Sequence, residues 1–233
     1  AAIRGVVKQV EKSFNNPTRF AEIKHLFNAD KVQSDVDFLY VIADMAAAAV
    51  QYGRSAEFCK AVLSSDPLTG YATAGKNVFA WLGITPLEDS LQGVKSTKAS
   101  DYTKGVGARQ WYWQTCTEYG YFQTAYSDAA SAARSSLITL DYNYQMCSEI
   151  FGLNNVVNVE KINRTYYEPL LNSNFATNIF FTNGSTDPWR YLSILQERGN
   201  TVNPNLFYMT IDKGSHCSDL SNSQNISVIQ AQN

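Results

Sequence analysis

Two short apolar runs, TNIFFTNG at residues 177–184 and NLFYMTID at 205–212, constrain the fold of this chain more than any other feature. Both are rich in β-branched and aromatic residues, and both run into a Gly-containing turn, as strands that end in loops do. Between them DPWRYLSILQERG, residues 187–199, has the apolar spacing of a helix closed by Gly199. Strand, loop, helix, strand and loop within residues 177–214 make half of a doubly wound sheet, because parallel neighbours require a crossover. The expected fold class is α/β.

The earlier part of the chain has a helical texture. Ile3, Val6, Val7, Val10 and Phe14 recur on one helical face. PTRFAEIKHLFN is a helix opened by Pro17, SDVDFLYVIADMAAAAVQYG a long one from near Ser34 to Gly53, and AEFCKAVLSS another. The polar segment 85–107, TPLEDSLQGVKSTKASDYTKGVG, marks a loop or boundary, and the aromatic-dense RQWYWQTCTEYGYF follows it. The chain is therefore expected to divide at about residue 108.

Composition removes several classes. A net charge of −2 in 233 residues, with no dense Lys/Arg run, leaves no field for a phosphate backbone, so no nucleic-acid partner is expected. The longest apolar stretch, residues 38–50, carries Asp44 and is too short to span a bilayer. The four cysteines, Cys59, Cys116, Cys147 and Cys217, form no CxxC pair, so no metal site is expected. Asn163, Asn225 and Asn183 begin glycosylation sequons, which with the cysteines points to a lysosomal or secreted protein.

Catalytic groups of such sheets sit at the carboxyl ends of the strands. The first expected strand ends in NGSTDPW and the second in DKGSHC, which places Asp187 and His216 at equivalent edges. A carboxylate that fixes an imidazole tautomer, followed in the chain by its histidine, keeps the Ser, Asp, His order of α/β-hydrolases. Asp187 before Pro188 is equally a turn opener or a helix cap.

NGSTDPW and GSHCSDL, preceded by WYWQTCTEYGYFQT, resemble the carboxyl-terminal part of the family of lysosomal Pro-Xaa carboxypeptidase, dipeptidyl-peptidase II and thymus-specific serine protease. The resemblance implies the carboxyl-terminal part of an α/β-hydrolase fold with an inserted helical cap domain. Residues 1–108 would be the cap and 109–233 the end of the hydrolase domain. It implies a serine-type exopeptidase, acting after proline or small residues, with Asp187 and His216 as two members of the triad and no cofactor. The nucleophile's Gly-x-Ser-x-Gly elbow does not occur in the chain. The serine is therefore expected upstream of Ala1, and the chain alone is expected to be inactive.

The resemblance further implies that Trp189 walls a small apolar pocket, that Glu118 or Tyr121 meets a peptide, and that Cys116 and Cys147 form a disulfide. Trp189 reads equally as a core residue, and Glu118 as a side chain serving backbone amides. The implied partners are a peptide substrate, the upstream part of the same protein and a second copy in a homodimer. The alternative is a hydrolase-fold scaffold or binding protein without catalysis.

Overall fold

The computed structural model describes residues 1–95, 107–154, 157–172, 175–195 and 203–220. They fall into two units, Ala1–Ala47 with Ala56–Asn158, and Ala48–Ser55 with Val159–Asn233.

The first unit is helical: α1 (Ala2–Ser13), α2 (Pro17–Leu26), most of α3 (Asp35–Gln51), α4 (Ser55–Val62), α5 (Pro67–Leu82), α6 (Pro86–Asp89), α7 (Leu91–Val94), α8 (Ala108–Gln114) and α9 (Leu140–Phe151). Local chemistry sets the starts. Asn16 accepts from the Arg19 amide ahead of Pro17, and Asp66 accepts from the Thr69 amide ahead of Pro67. Gly83 and Gly152 close α5 and α9 in the left-handed region. Val6, Val7 and Val10 bury one face of α1, which packs on α2 and α5.

The core is aromatic, with Phe27 edge-on to Phe38 and Phe58 edge-on to Tyr71. The buried Tyr71 hydroxyl donates to the Ile42 carbonyl at 2.6 Å. The segment 85–107, read from sequence as a polar loop, begins instead with α6 and α7. Thr85 and Glu88 form a reciprocal capping box there. The contact boundary at Asn158 lies beyond the change of texture at 108, because α9 packs on α7 and α8 and a disulfide joins the turn after α8 to α9.

The second unit holds α10 (Val159–Ile162), a π-helical turn (Asn163–Tyr167), α11 (Glu168–Leu171), β1 (Ile179–Gly184) and β2 (Leu206–Ile211). The strands are parallel, in register from Ile179 opposite Leu206 to Gly184 opposite Ile211. Ala176, Ile194 and Leu206 form its core with Tyr167, Leu170, Leu171, Ile179, Phe181 and Tyr208. Asn203, also buried, donates to the Leu170 and Ala176 carbonyls and accepts from the Asn205 amide, so its polar groups are satisfied.

The helix expected over 187–199 is a 3₁₀ turn, Pro188–Leu192. Ser193 is extended, and Ile194 and Leu195 are buried, so core burial overrides the helical spacing. Gly199 lies outside the described residues. Helices with a small parallel sheet make a mixed architecture compatible with a hydrolase-like fragment.

Candidate active site

β1 and β2 end side by side, and their backbones nearly touch. A Cβ on Gly184 would stand 2.5 Å from the Gly214 carbonyl oxygen, so only glycine fits. The Ser185 amide donates to Ile211 O at 3.0 Å and the Thr186 amide to Gly214 O at 2.9 Å. These bonds lace the two strand-end loops together. The loop after β2 is also held from its far side, where Thr182 Oγ1 donates to Asp219 Oδ2 at 2.6 Å.

Asp187 and His216 meet across this seam. Asp187 Oδ2 lies 2.8 Å from His216 Nδ1, while its Oδ1 accepts from the Trp189 amide at 2.9 Å. The carboxylate therefore caps the 3₁₀ turn with one oxygen and pairs with the imidazole through the other. An ionised carboxylate only accepts, which puts a proton on Nδ1, and in the neutral imidazole Nε2 is then the acceptor. Nε2 has no hydrogen-bond partner among the described residues.

His25 offers an internal comparison, since its Nδ1 lies 3.0 Å from Asp30 Oδ1. Those side chains are 81% and 56% exposed, against 30% and 11% for His216 and Asp187. Solvent screens the first pair, whereas the second is sheltered enough for the carboxylate to fix ring orientation. Trp189 and Tyr52 stand around His216, with ring centroids 6.4 and 5.9 Å away. Ser215 bonds to Ser218 rather than to the imidazole. Burial, with Asp219 and Asp187 nearby, pushes the Cys217 thiol above its ordinary value, which makes it a poor nucleophile near neutrality.

Glu118 and Tyr121 belong to the first unit. Glu118 is an exposed residue of the π-helical turn Thr115–Tyr119, and Tyr121 stacks on Tyr119 at 5.2 Å. Cys116 in that turn is disulfide-bonded to Cys147 in α9, while Cys59 and Cys217 are free and exposed. Asn163 is exposed, Asn183 is buried in β1, and Asn225 lies outside the described residues.

Two features escaped the sequence reading. One is Gln51, whose carbonyl accepts from the His216 amide at 2.9 Å and whose Oε1 accepts from Trp189 Nε1 at 2.8 Å. No local pattern marks it. The other is a polar cluster in the first unit, where Arg134 Nη2 donates to Asp44 Oδ1 at 2.8 Å and to Gln123 Oε1 at 2.7 Å. Burial and the neighbouring Asp44 hold the Asp89 carboxyl well above the usual carboxylate range, and its Oδ2 is shut off from solvent without a partner among the described residues.

The sequence matches the serine carboxypeptidase S28 family over residues 7–232. It is 34% identical to the probable serine protease EDA2 of Arabidopsis thaliana over 73% of this chain and 35% of that protein. It is 35% identical to human thymus-specific serine protease over 67% of this chain and 30% of that protein. A probable extracellular serine carboxypeptidase of Arthroderma benhamiae is 32% identical over 41% of this chain and 14% of its own length. The matched part thus spans about a third or less of these relatives. With a match over nearly its whole length, the chain belongs to the serine carboxypeptidase S28 family.

Proposed function

We propose that this chain carries the Asp and His of a serine exopeptidase whose nucleophilic serine lies in a segment preceding Ala1. The observation that carries the proposal is the sheltered 2.8 Å pair of Asp187 and His216. His216 Nε2 takes the serine proton as Oγ bonds the scissile carbonyl carbon, then gives it to the leaving amine as the C–N bond breaks. Water repeats the sequence to release the acyl group. Asp187 holds the tautomer and stabilises the imidazolium.

The substrate proposed is a peptide with proline or another small residue at the cleaved bond. The flat indole of Trp189, beside His216, suits a pyrrolidine ring. Glu118 and Tyr121 are carried as candidate peptide contacts. In this reading residues 1–108 belong to a helical cap and 109–233 to the hydrolase domain, and the protein works in a lysosomal or extracellular compartment, where a disulfide such as Cys116–Cys147 persists.

Fluorophosphonate labelling of the protein extended upstream, followed by peptide mapping, tests this. A labelled serine before Ala1, lost in His216→Ala, is the expected result. A labelled serine within the chain would move the nucleophile, and no labelling would favour a non-catalytic scaffold. Proline peptides blocked at either end separate the two exopeptidase types, since amidation stops a carboxypeptidase and acetylation a dipeptidyl-peptidase.

A further inference from the structure

We propose that Gln51, at the end of α3, is a positioning residue of this site, its main chain holding His216 and its side chain holding the Trp189 indole. The inference rests on the serine-peptidase reading and adds to it a residue outside the two strand-end loops. Two bonds from one residue reach both loops: the Gln51 carbonyl accepts from the His216 amide at 2.9 Å, and Oε1 accepts from Trp189 Nε1 at 2.8 Å.

The surrounding turn fits this assignment. Tyr52 meets the imidazole edge to face, with ring centroids 5.9 Å apart. Gly53 has φ +71, and a Cβ there would stand 3.3 Å from Ser215, the residue before His216. The chain can thus turn away directly after Gln51 while staying against the histidine loop. All these residues lie in the second unit.

The consequence is geometric. The Ser185 and Thr186 amides lace the two loops together close to the strand ends, ahead of the reacting pair. Beyond that seam the Asp187–His216 bond ties the loops through the reacting pair itself. The Gln51 bonds add a tie from a third segment, to the histidine backbone and to the neighbouring indole. A displacement of about 1 Å in such a site costs up to about a hundredfold in rate, which makes a tie of this kind consequential.

Substitution of Gln51 leaves its carbonyl in place, so side-chain variants isolate the indole bond. Gln51→Ala removes the acceptor and Gln51→Asn withdraws it by one methylene. Gln51→Glu keeps an acceptor at the same reach. In the protein extended upstream, Ala and Asn variants are expected to lower kcat/KM about tenfold. They should also shift the Trp189 indole N–H resonance, assigned through Trp189→Phe, and the Glu variant should restore both readings toward wild type. Should Gln51→Ala fail to fold, Gln51→Leu fills the space without an acceptor and is read by the same two measurements.

An unchanged kcat/KM, with or without a shifted indole, would overturn the positioning role provided that His216→Ala abolishes turnover. Turnover that survives His216→Ala would instead sink the serine-peptidase reading, and this inference with it.

Discussion

Asp187 does two things with two oxygens, and they are separable. Oδ1 caps the turn Pro188–Leu192 through the Trp189 amide, while Oδ2 fixes the His216 ring. Asp187→Asn keeps an oxygen for the cap but favours the wrong imidazole tautomer. Under the proposed function it should lower kcat of the protein extended upstream about 10⁴-fold with little change in Tm. Asp187→Ala should be comparably inactive and also lose about 1 kcal/mol of stability from the missing cap. Parallel kinetics and thermal melts on the two variants check this, and an equal loss of stability would mean that the cap contributes nothing. That Asp187 and His216 would meet was legible because each follows a β-rich run and a turn. Gln51 was not legible, since its bonds to Trp189 and His216 span sequence distances that no periodicity records.

Among the elements, α2 and α3 were readable from Pro17, Ser34 and Gly53, and the two strands from their composition. The misreadings have physical causes. Thr85 and Glu88 carried a capping-box signature inside a segment whose polarity suggested a loop, and a helix of one turn leaves little periodicity to see. After Asp187, burial of Ile194 and Leu195 outweighs the helical spacing. The disulfide joins two elements of the first unit, the π-helical turn and α9, across a separation of 31 residues. Replacing Cys116 and Cys147 with serine should cost about 3–4 kcal/mol in the chain-entropy description. Denaturant titration measures that cost. Mass mapping without reductant should find Cys116 with Cys147 and Cys59 outside the pair.

On the scale of the whole molecule, buried carboxyls in the first unit contribute to the response to pH. Burial first, then repulsion from Asp44, raises Asp89, with the Arg134 guanidinium opposing; Tyr40 and Tyr112 lie in the same cluster. Asp37, which accepts from the Tyr142 hydroxyl at 2.6 Å, is raised by burial as well, in the presence of Lys95 and Glu149. A carboxyl raised on folding binds its proton more tightly folded than unfolded. Its contribution is complete below the ordinary carboxyl value of 3.8 and is lost as pH rises through the higher folded value. The first unit should therefore be less stable at neutral pH than in acid, other groups being equal. Asp89→Asn should raise Tm by a few degrees at pH 7 and leave it unchanged near pH 3. Melts of both proteins at the two values decide, and a lower Tm at pH 7 would mean that the ionised carboxylate is needed.

The parallel crossover carries a consequence in time. Asp187 and His216 are 29 residues apart and meet only where β1 and β2 run side by side, so no local segment can assemble the pair by itself. Closing such a loop costs entropy before any contact repays it. The imidazole–carboxylate bond should accordingly appear with the strand pairing and not before it. In a refolding reaction, the hydrogen-bonded Nδ1 proton of His216 would then report the pairing of β1 with β2.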